Sequence, residues 1–327
     1  MKHTIVLVAF LLLLTGCAQL PVESHFNAHQ VNCGYGPEDI VLDTVAEKFR
    51  ILISCDGRRK NEPQVGNIWT YDPATRSCAI LPREGEPAGL PFHPHGIDLI
   101  KVGNEAQLLV ISHDHPNHIT YVLRYAVTSE KLVFKEKISD PLFTSPNALA
   151  GFADGSFLLS NDLHKAGSFW EMLFKQKKST IVFWKEGKAS VAADHIAFGN
   201  GIIIRGNQVY HASTMGNYVC RYDFQNGLLE HKTILAEVKG PDNLRFDGNY
   251  LTVACHPKFG KFISHMRDSA TPSPTVIYRV PVAGGQPQVV YFNQGKQISA
   301  ASTGLIYRKK LFIAQVFNPW ILDVDLE

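Results

Sequence analysis

Charge of one sign is missing from this sequence. Lys and Arg total 32, Asp and Glu 30, and the formal net charge is only +2. No basic stripe with interleaved aromatics stands out, so there is no electrostatic footprint for nucleic acid. Lys175, Lys177 and Lys178 make one short cluster, which reads as a solvated loop. Long apolar runs are equally scarce. The only one, Ile5 to Leu14, is far short of the roughly 20 residues that a membrane-spanning helix needs. The six cysteines include no Cys-x-x-Cys pair, which leaves a zinc ribbon or a thioredoxin-like motif without support. Helical periodicity is almost absent from Pro37 onward; short β-rich runs and turns take its place. The apolar content, 45 %, still suffices for a buried core.

What is present begins at the N-terminus. Lys2, the apolar run and Leu14-Thr15-Gly16-Cys17 have the form of a secretory signal. The Leu-Thr-Gly-Cys ending resembles the bacterial lipoprotein box. The expectation is a signal peptide over residues 1–16, a lipidated Cys17, and a membrane-anchored domain facing an extracytoplasmic space. Ala18 after the cysteine resembles lipoproteins passed on to the outer membrane, on its periplasmic face. Residues 17–36 read as a tether, and 37–327 as the folded domain. Cys33, Cys55, Cys78, Cys220 and Cys255 remain; their number is odd and the sequence does not choose pairs. Cys220 and Cys255 lie in apolar runs and read as small core residues.

The folded part repeats. Gly240-Pro241-Asp242-Asn243-Leu244 is a turn that runs into an apolar strand, with an acid and an amide at the strand's start. Alone, such a pair usually caps local backbone amides. The same design recurs at Pro37-Glu38-Asp39-Ile40, Pro94-His95-Gly96-Ile97, Pro146-Asn147-Ala148-Leu149, Gly199-Asn200-Gly201 and Ala301-Ser302-Thr303-Gly304. Each is followed by a middle strand such as Leu108-Leu109-Val110. An aromatic strand such as Tyr121-Val122-Leu123-Arg124-Tyr125 comes next, and in most units an outer strand after it. Six units of four antiparallel strands predict an all-β, six-bladed β-propeller. The last unit ends at its third strand, so the lead-in before Pro37 is expected to supply the fourth and close the ring. A two-sheet sandwich, the alternative, gives no reason for a polar residue at the start of every fourth strand. Two stretches break the pattern, His164–Thr180 and the mostly polar Phe259–Ser273. Only the first, around Phe169 to Phe174, has helical character; either could cover a central site.

In a propeller the first strand of each blade lines the central channel, so the six polar starts converge at one mouth. Carboxylates and amides facing one point are costly without a partner. Calcium suits them, since it collects six to eight oxygens from carboxylates, amide carbonyls and water. Glu38 and Asp242 would bring charge; Asn147, Asn200 and Asn243 would bring neutral oxygens. Zinc fits poorly, because the set has no thiolate and is dominated by amides. His95 stands at the second strand start and His113 ends its partner strand, the arrangement of a general base and its orienter. His115 and His118 follow in a polar loop. His256, in Cys255-His256-Pro257, lies after the fifth middle strand and could reach the mouth, although a structural role is the plainer reading of these last three.

Together these segments resemble the paraoxonase/arylesterase family of six-bladed calcium lactonases. The resemblance runs in order through Glu38-Asp39, Phe92-His93-Pro94-His95-Gly96-Ile97, Ser112-His113, Asn147, Asn161-Asp162, Trp170-Glu171-Met172, Asn200-Gly201-Ile202, Asp242-Asn243, Cys255-His256-Pro257 and Ser302-Thr303. It implies that Glu38, Asn147, Asn200, Asp242 and Asn243 hold a catalytic calcium, and that His95 and His113 form a water-activating dyad. It further implies a second, structural calcium on Asp39 and the Ile97 carbonyl. The family has an Asp for that ion where this chain has Ala148, which puts the second ion in doubt. Cys33 also lacks the C-terminal partner of the family's disulfide. His256, Ser302 and Thr303 are candidates for the substrate pocket. The expected activity is calcium-dependent hydrolysis of small lactones, and of aryl esters. A calcium propeller that binds a ligand or partner without catalysis, and a gluconolactonase-type sugar-lactone hydrolase, are the alternatives.

Overall fold

The computed structural model describes residues 20–44, 49–63, 65–114, 117 and 119–326. The signal-peptide reading of residues 1–16, the Cys17 anchor, and His115 and His118 fall outside the described residues.

Strand residues alternate between two faces, and here both faces are covered. In Glu105–Asp114 the run Leu108-Leu109-Val110-Ile111 is wholly buried. Leu108 and Val110 join the apolar core shared with the first blade, Leu109 and Ile111 the core shared with the third. The pattern repeats around the ring, so that six cores lie between consecutive blades. The fold is therefore a six-bladed β-propeller of antiparallel sheets. Its inner strands are Pro37–Asp43, Pro94–Val102, Pro146–Gly151, Gly199–Arg205, Pro241–Asp247 and Ala301–Tyr307.

The ring closes as the sequence predicts. Ala28–Asn32 pairs antiparallel with Trp320–Asp325 as the fourth strand of blade six, with Ala28 opposite Val324 and Asn32 opposite Trp320. The five described cysteines are free thiols. The Cys33 thiol touches those of Cys55 and Cys78, while Cys220 and Cys255 are fully buried in interblade cores.

Two details differ from the expectation. Blade two carries a fifth short strand, Arg83–Glu84, parallel to Leu132–Ile138. The polar stretch after Pro257 holds a second helix, Phe259–Arg267, besides the short Phe169–Leu173 helix capped by Ser168. Its inner face is Phe259, Phe262 and Ile263, at i, i+3 and i+4, with His265 buried below. The Arg59 guanidinium clasps it from blade one, donating to the His265 carbonyl at 3.0 Å, and salt-bridges Glu62 at 2.8 Å.

Candidate active site at the mouth of the propeller

Every inner strand has a β-bulge at its polar start. The register slips between Pro37 and Asp39, Pro94 and Ile97, Pro146 and Ala148, Gly199 and Ile202, Pro241 and Leu244, and Ala301 and Thr303. A bulge bends the strand and re-aims the extra side chain. Glu38, His95, Asn147, Asn200, Asp242, Asn243 and Ser302 all fall inside these slips. Two glycines let the strand starts close on each other. A Cβ on Gly96 would stand 2.5 Å from the Asn147 carbonyl oxygen, and one on Gly201 would stand 2.6 Å from that of Asp242.

The polar atoms so delivered are buried and incompletely paired. Glu38 Oε2, Asn147 Oδ1, Asn200 Oδ1, Asp242 Oδ1 and Asp162 Oδ1 are all buried without a hydrogen-bond partner. Each orphan costs about 1–3 kcal/mol. Together they are comparable to the roughly 5–15 kcal/mol that stabilises a domain. The surroundings hold them in place. Asn200 Nδ2 donates to Thr214 Oγ1 at 3.1 Å, which leaves its oxygen directed away from that contact. His256 Nε2 lies 2.8 Å from Asp242 Oδ2, and its ring packs 4.4 Å from Phe262 of the long helix. His256 is thus buried behind Asp242. Ser302 and Thr303 are fully buried and donate to the Glu38 carbonyl at 2.5 and 3.0 Å, supporting the backbone of the first strand.

His95 and His113 meet, Nδ1 to Nε2, at 2.9 Å. His95 Nε2 lies 3.2 Å from Glu38 Oε1, and His113 Nδ1 lies 3.1 Å from Thr120 Oγ1. The contacts form one chain, Glu38–His95–His113–Thr120, along which each imidazole can accept at one nitrogen and donate at the other. Burial acts to raise the Glu38 carboxyl, but His95 and Arg58 outweigh it and hold it below the ordinary value. Burial raises the Asp242 carboxyl, opposed by His256. Asp162, in the same cluster through Asn147 and His95, is pushed up by burial to about 6.

Three participants carried no assigned role in the sequence. Asp162 lies among the family-like segments, and its orphaned oxygen marks it as part of the site. Arg58, 3.7 Å from Glu38, has no motif around it. Arg245 binds the Asp39 carboxylate at 2.5 Å and the Ile40 carbonyl at 2.7 Å, and its Nη2 lies 3.4 Å from the Ile97 carbonyl. Beside the histidine pair, a cleft of about 740 Å³ opens, lined by Thr120, Asp140, Phe143, Thr144, His164 and Lys165 among others. Its mixed lining and volume suit a small organic molecule.

No group of three or more His, Cys, Asp and Glu side chains placed to hold a metal occurs among the described residues. The orphaned set is instead two carboxylates and two amides, plus Asp162. Hard oxygens of this kind fit calcium and offer zinc nothing soft.

The arylesterase family model matches residues 64–322. Serum paraoxonase/arylesterase 1 of Rattus norvegicus is 28 % identical over 294 residues, 86 % of this chain and 82 % of that protein. Serum paraoxonase/lactonase 3 of Homo sapiens is 26 % identical over 239 residues, 69 % and 67 % of the two chains. Among solved structures, a gluconolactonase of Xanthomonas campestris superposes with a TM-score of 0.59 at 12 % identity, covering 92 % of this chain and 89 % of its own, which is a likeness of fold.

Proposed function

The chain belongs to the arylesterase family, and on that premise we propose that it is a calcium-dependent hydrolase of small lactones and aryl esters. The observation that carries the proposal is the set of orphaned oxygens of Glu38, Asn147, Asn200 and Asp242, buried beside a hydrogen-bonded histidine pair. With Asn243, these residues would hold one calcium. Bound there, the ion supplies Lewis-acid polarisation of a substrate carbonyl.

The remaining chemistry belongs to the chain. His95 takes the proton of the attacking water at Nε2, the nitrogen 3.2 Å from Glu38, in the tautomer whose own proton sits on Nδ1; the Nε2–H so formed points at the Glu38 carboxylate. His113 accepts the His95 Nδ1 proton at its Nε2 and donates from its own Nδ1 to Thr120 Oγ1, which keeps His95 in that tautomer. His256 holds Asp242 in place. The cleft at Thr120, Phe143 and His164 takes the acyl or ring carbons of the substrate. A lipid anchor at Cys17 would hold this domain at an extracytoplasmic membrane face.

The test is hydrolysis of a medium-chain lactone by the chain from Ala18, first with chelator and then with calcium restored. Activity lost and regained is the expected result. A folded, calcium-loaded protein inert toward lactones and aryl esters would overturn the catalytic reading.

A further inference from the structure

A second group of buried acids lies on the propeller axis, one residue beyond the mouth. Asp39 is 2 % exposed, yet both of its oxygens are engaged. Oδ2 accepts from the Ile97 amide at 2.9 Å. Oδ1 accepts from the Ile40 amide at 2.9 Å, from Thr303 Oγ1 at 3.1 Å and from Arg245 Nη2 at 2.5 Å. Asp98 stands nearby, its Oδ2 accepting from the Gly151 amide at 2.9 Å, and its carboxyl also feels the Arg245 charge. Arg245 completes its fork on the carbonyls of Ile40 and Leu244 at 2.7 and 2.8 Å. One guanidinium on the fifth blade thereby holds a carboxylate of the first and sits against a carbonyl of the second.

We infer that Arg245 is a built-in cation occupying the place of a second metal ion. The protein then takes up calcium only at the mouth and ties its axis together without metal. The inference rests on the calcium reading of the mouth only for the first ion. Carboxylate and backbone carbonyl oxygens are what calcium would gather, but here they are already spent on a planar, five-donor group. A divalent ion on the Asp39 and Ile97 oxygens would meet the guanidinium at close range. Ala148, buried at the neighbouring strand start, brings no further carboxylate to outbid it.

The experiment counts calcium retained per chain by atomic emission after gel filtration. It compares the wild type with a variant whose mouth is disabled, Asn200→Ala with Asp242→Ala. The expected counts are one and zero. One ion in both proteins, or two in the wild type, would overturn the inference. No ion in either would leave Arg245 as the axis cation and overturn the calcium reading of the mouth instead. In the mouth-disabled background, Arg245→Ala with Ala148→Asp removes the guanidinium and adds a carboxylate. That protein is expected to gain one calcium and a calcium-dependent rise in Tm of roughly 5 °C or more. Folding without such a gain would overturn the placement; if that variant does not fold, the two counts decide alone.

Discussion

Glu38 and Asp39 are neighbours in the chain, equally buried, and belong to opposite kinds of site. Glu38 faces a mouth where carboxylate and amide oxygens lack partners. Asp39 faces an axis where amides, a hydroxyl and the Arg245 guanidinium engage both of its oxygens. Burial of an acid is therefore not in itself a sign of metal binding. A satisfied cluster is finished structure and is closed to a ligand. An orphaned cluster stores a desolvation cost that a cation can relieve. The two clusters share one channel, so each serves as the control for the other.

Breaking the mouth should have the largest effect on function. Asp242→Ala is expected to lower lactone turnover by about 10³-fold or more, the scale of losing transition-state charge stabilisation. It should also abolish calcium uptake while circular dichroism stays that of the propeller. A calcium-loaded, active variant would remove the metal from the mouth. Breaking the axis should instead act on stability. Arg245→Met strands the Asp39 carboxylate, at a cost of about 3–5 kcal/mol. Chemical denaturation should show that loss, with calcium uptake at the mouth retained. An unchanged midpoint would mean that the axis charges are not balanced as their geometry indicates.

Parts of this comparison were legible in the sequence and parts were not. The six polar strand starts recur along the chain, so the propeller, its closure by the lead-in before Pro37, and the mouth residues follow from periodicity. The Phe259–Arg267 helix does not read from local pattern, because Gly260 and the polar neighbours mask Phe259, Phe262 and Ile263, and Lys258 makes no side-chain cap. The bulges leave no residue-type signature, because Pro, Gly and Ala all precede them. Arg245 was invisible for a different reason. Its partners, Asp39 and Ile40, lie over 200 positions away in sequence, and only ring closure brings them together. Periodicity sets His256, Ser302 and Thr303 at strand ends but cannot say that His256 backs Asp242 and that Ser302 and Thr303 brace the Glu38 carbonyl.

His95→Gln sharpens the division of labour inside the mouth. Glutamine can still hydrogen-bond to Glu38 but cannot take up a proton at neutral pH. Turnover is expected to fall by about 10²-fold, within the usual range for a general base, with calcium affinity nearly unchanged. Unaltered turnover would move the base elsewhere, and Asp242 would be the next residue to test.

The smallest effect is a pH dependence of calcium binding itself. Burial raises the carboxyls of Asp162, to about 6, and of Asp242. A raised carboxyl takes up its proton as pH falls through its folded value, before the unfolded chain does. The ion-free protein is therefore stabilised by protonation there, and the gain extends down toward the ordinary Asp value near 3.9. Calcium requires the ionised form, so its uptake must expel those protons. Affinity should be flat above about pH 7 and fall below 6, by up to about tenfold per pH unit for each proton released. Titration calorimetry in buffers of different ionisation enthalpy would read the proton count directly. Asp162→Asn should remove part of the slope. A slope untouched by that change, or calcium affinity independent of pH down to 5, would mean that the Asp162 carboxyl does not face the ion.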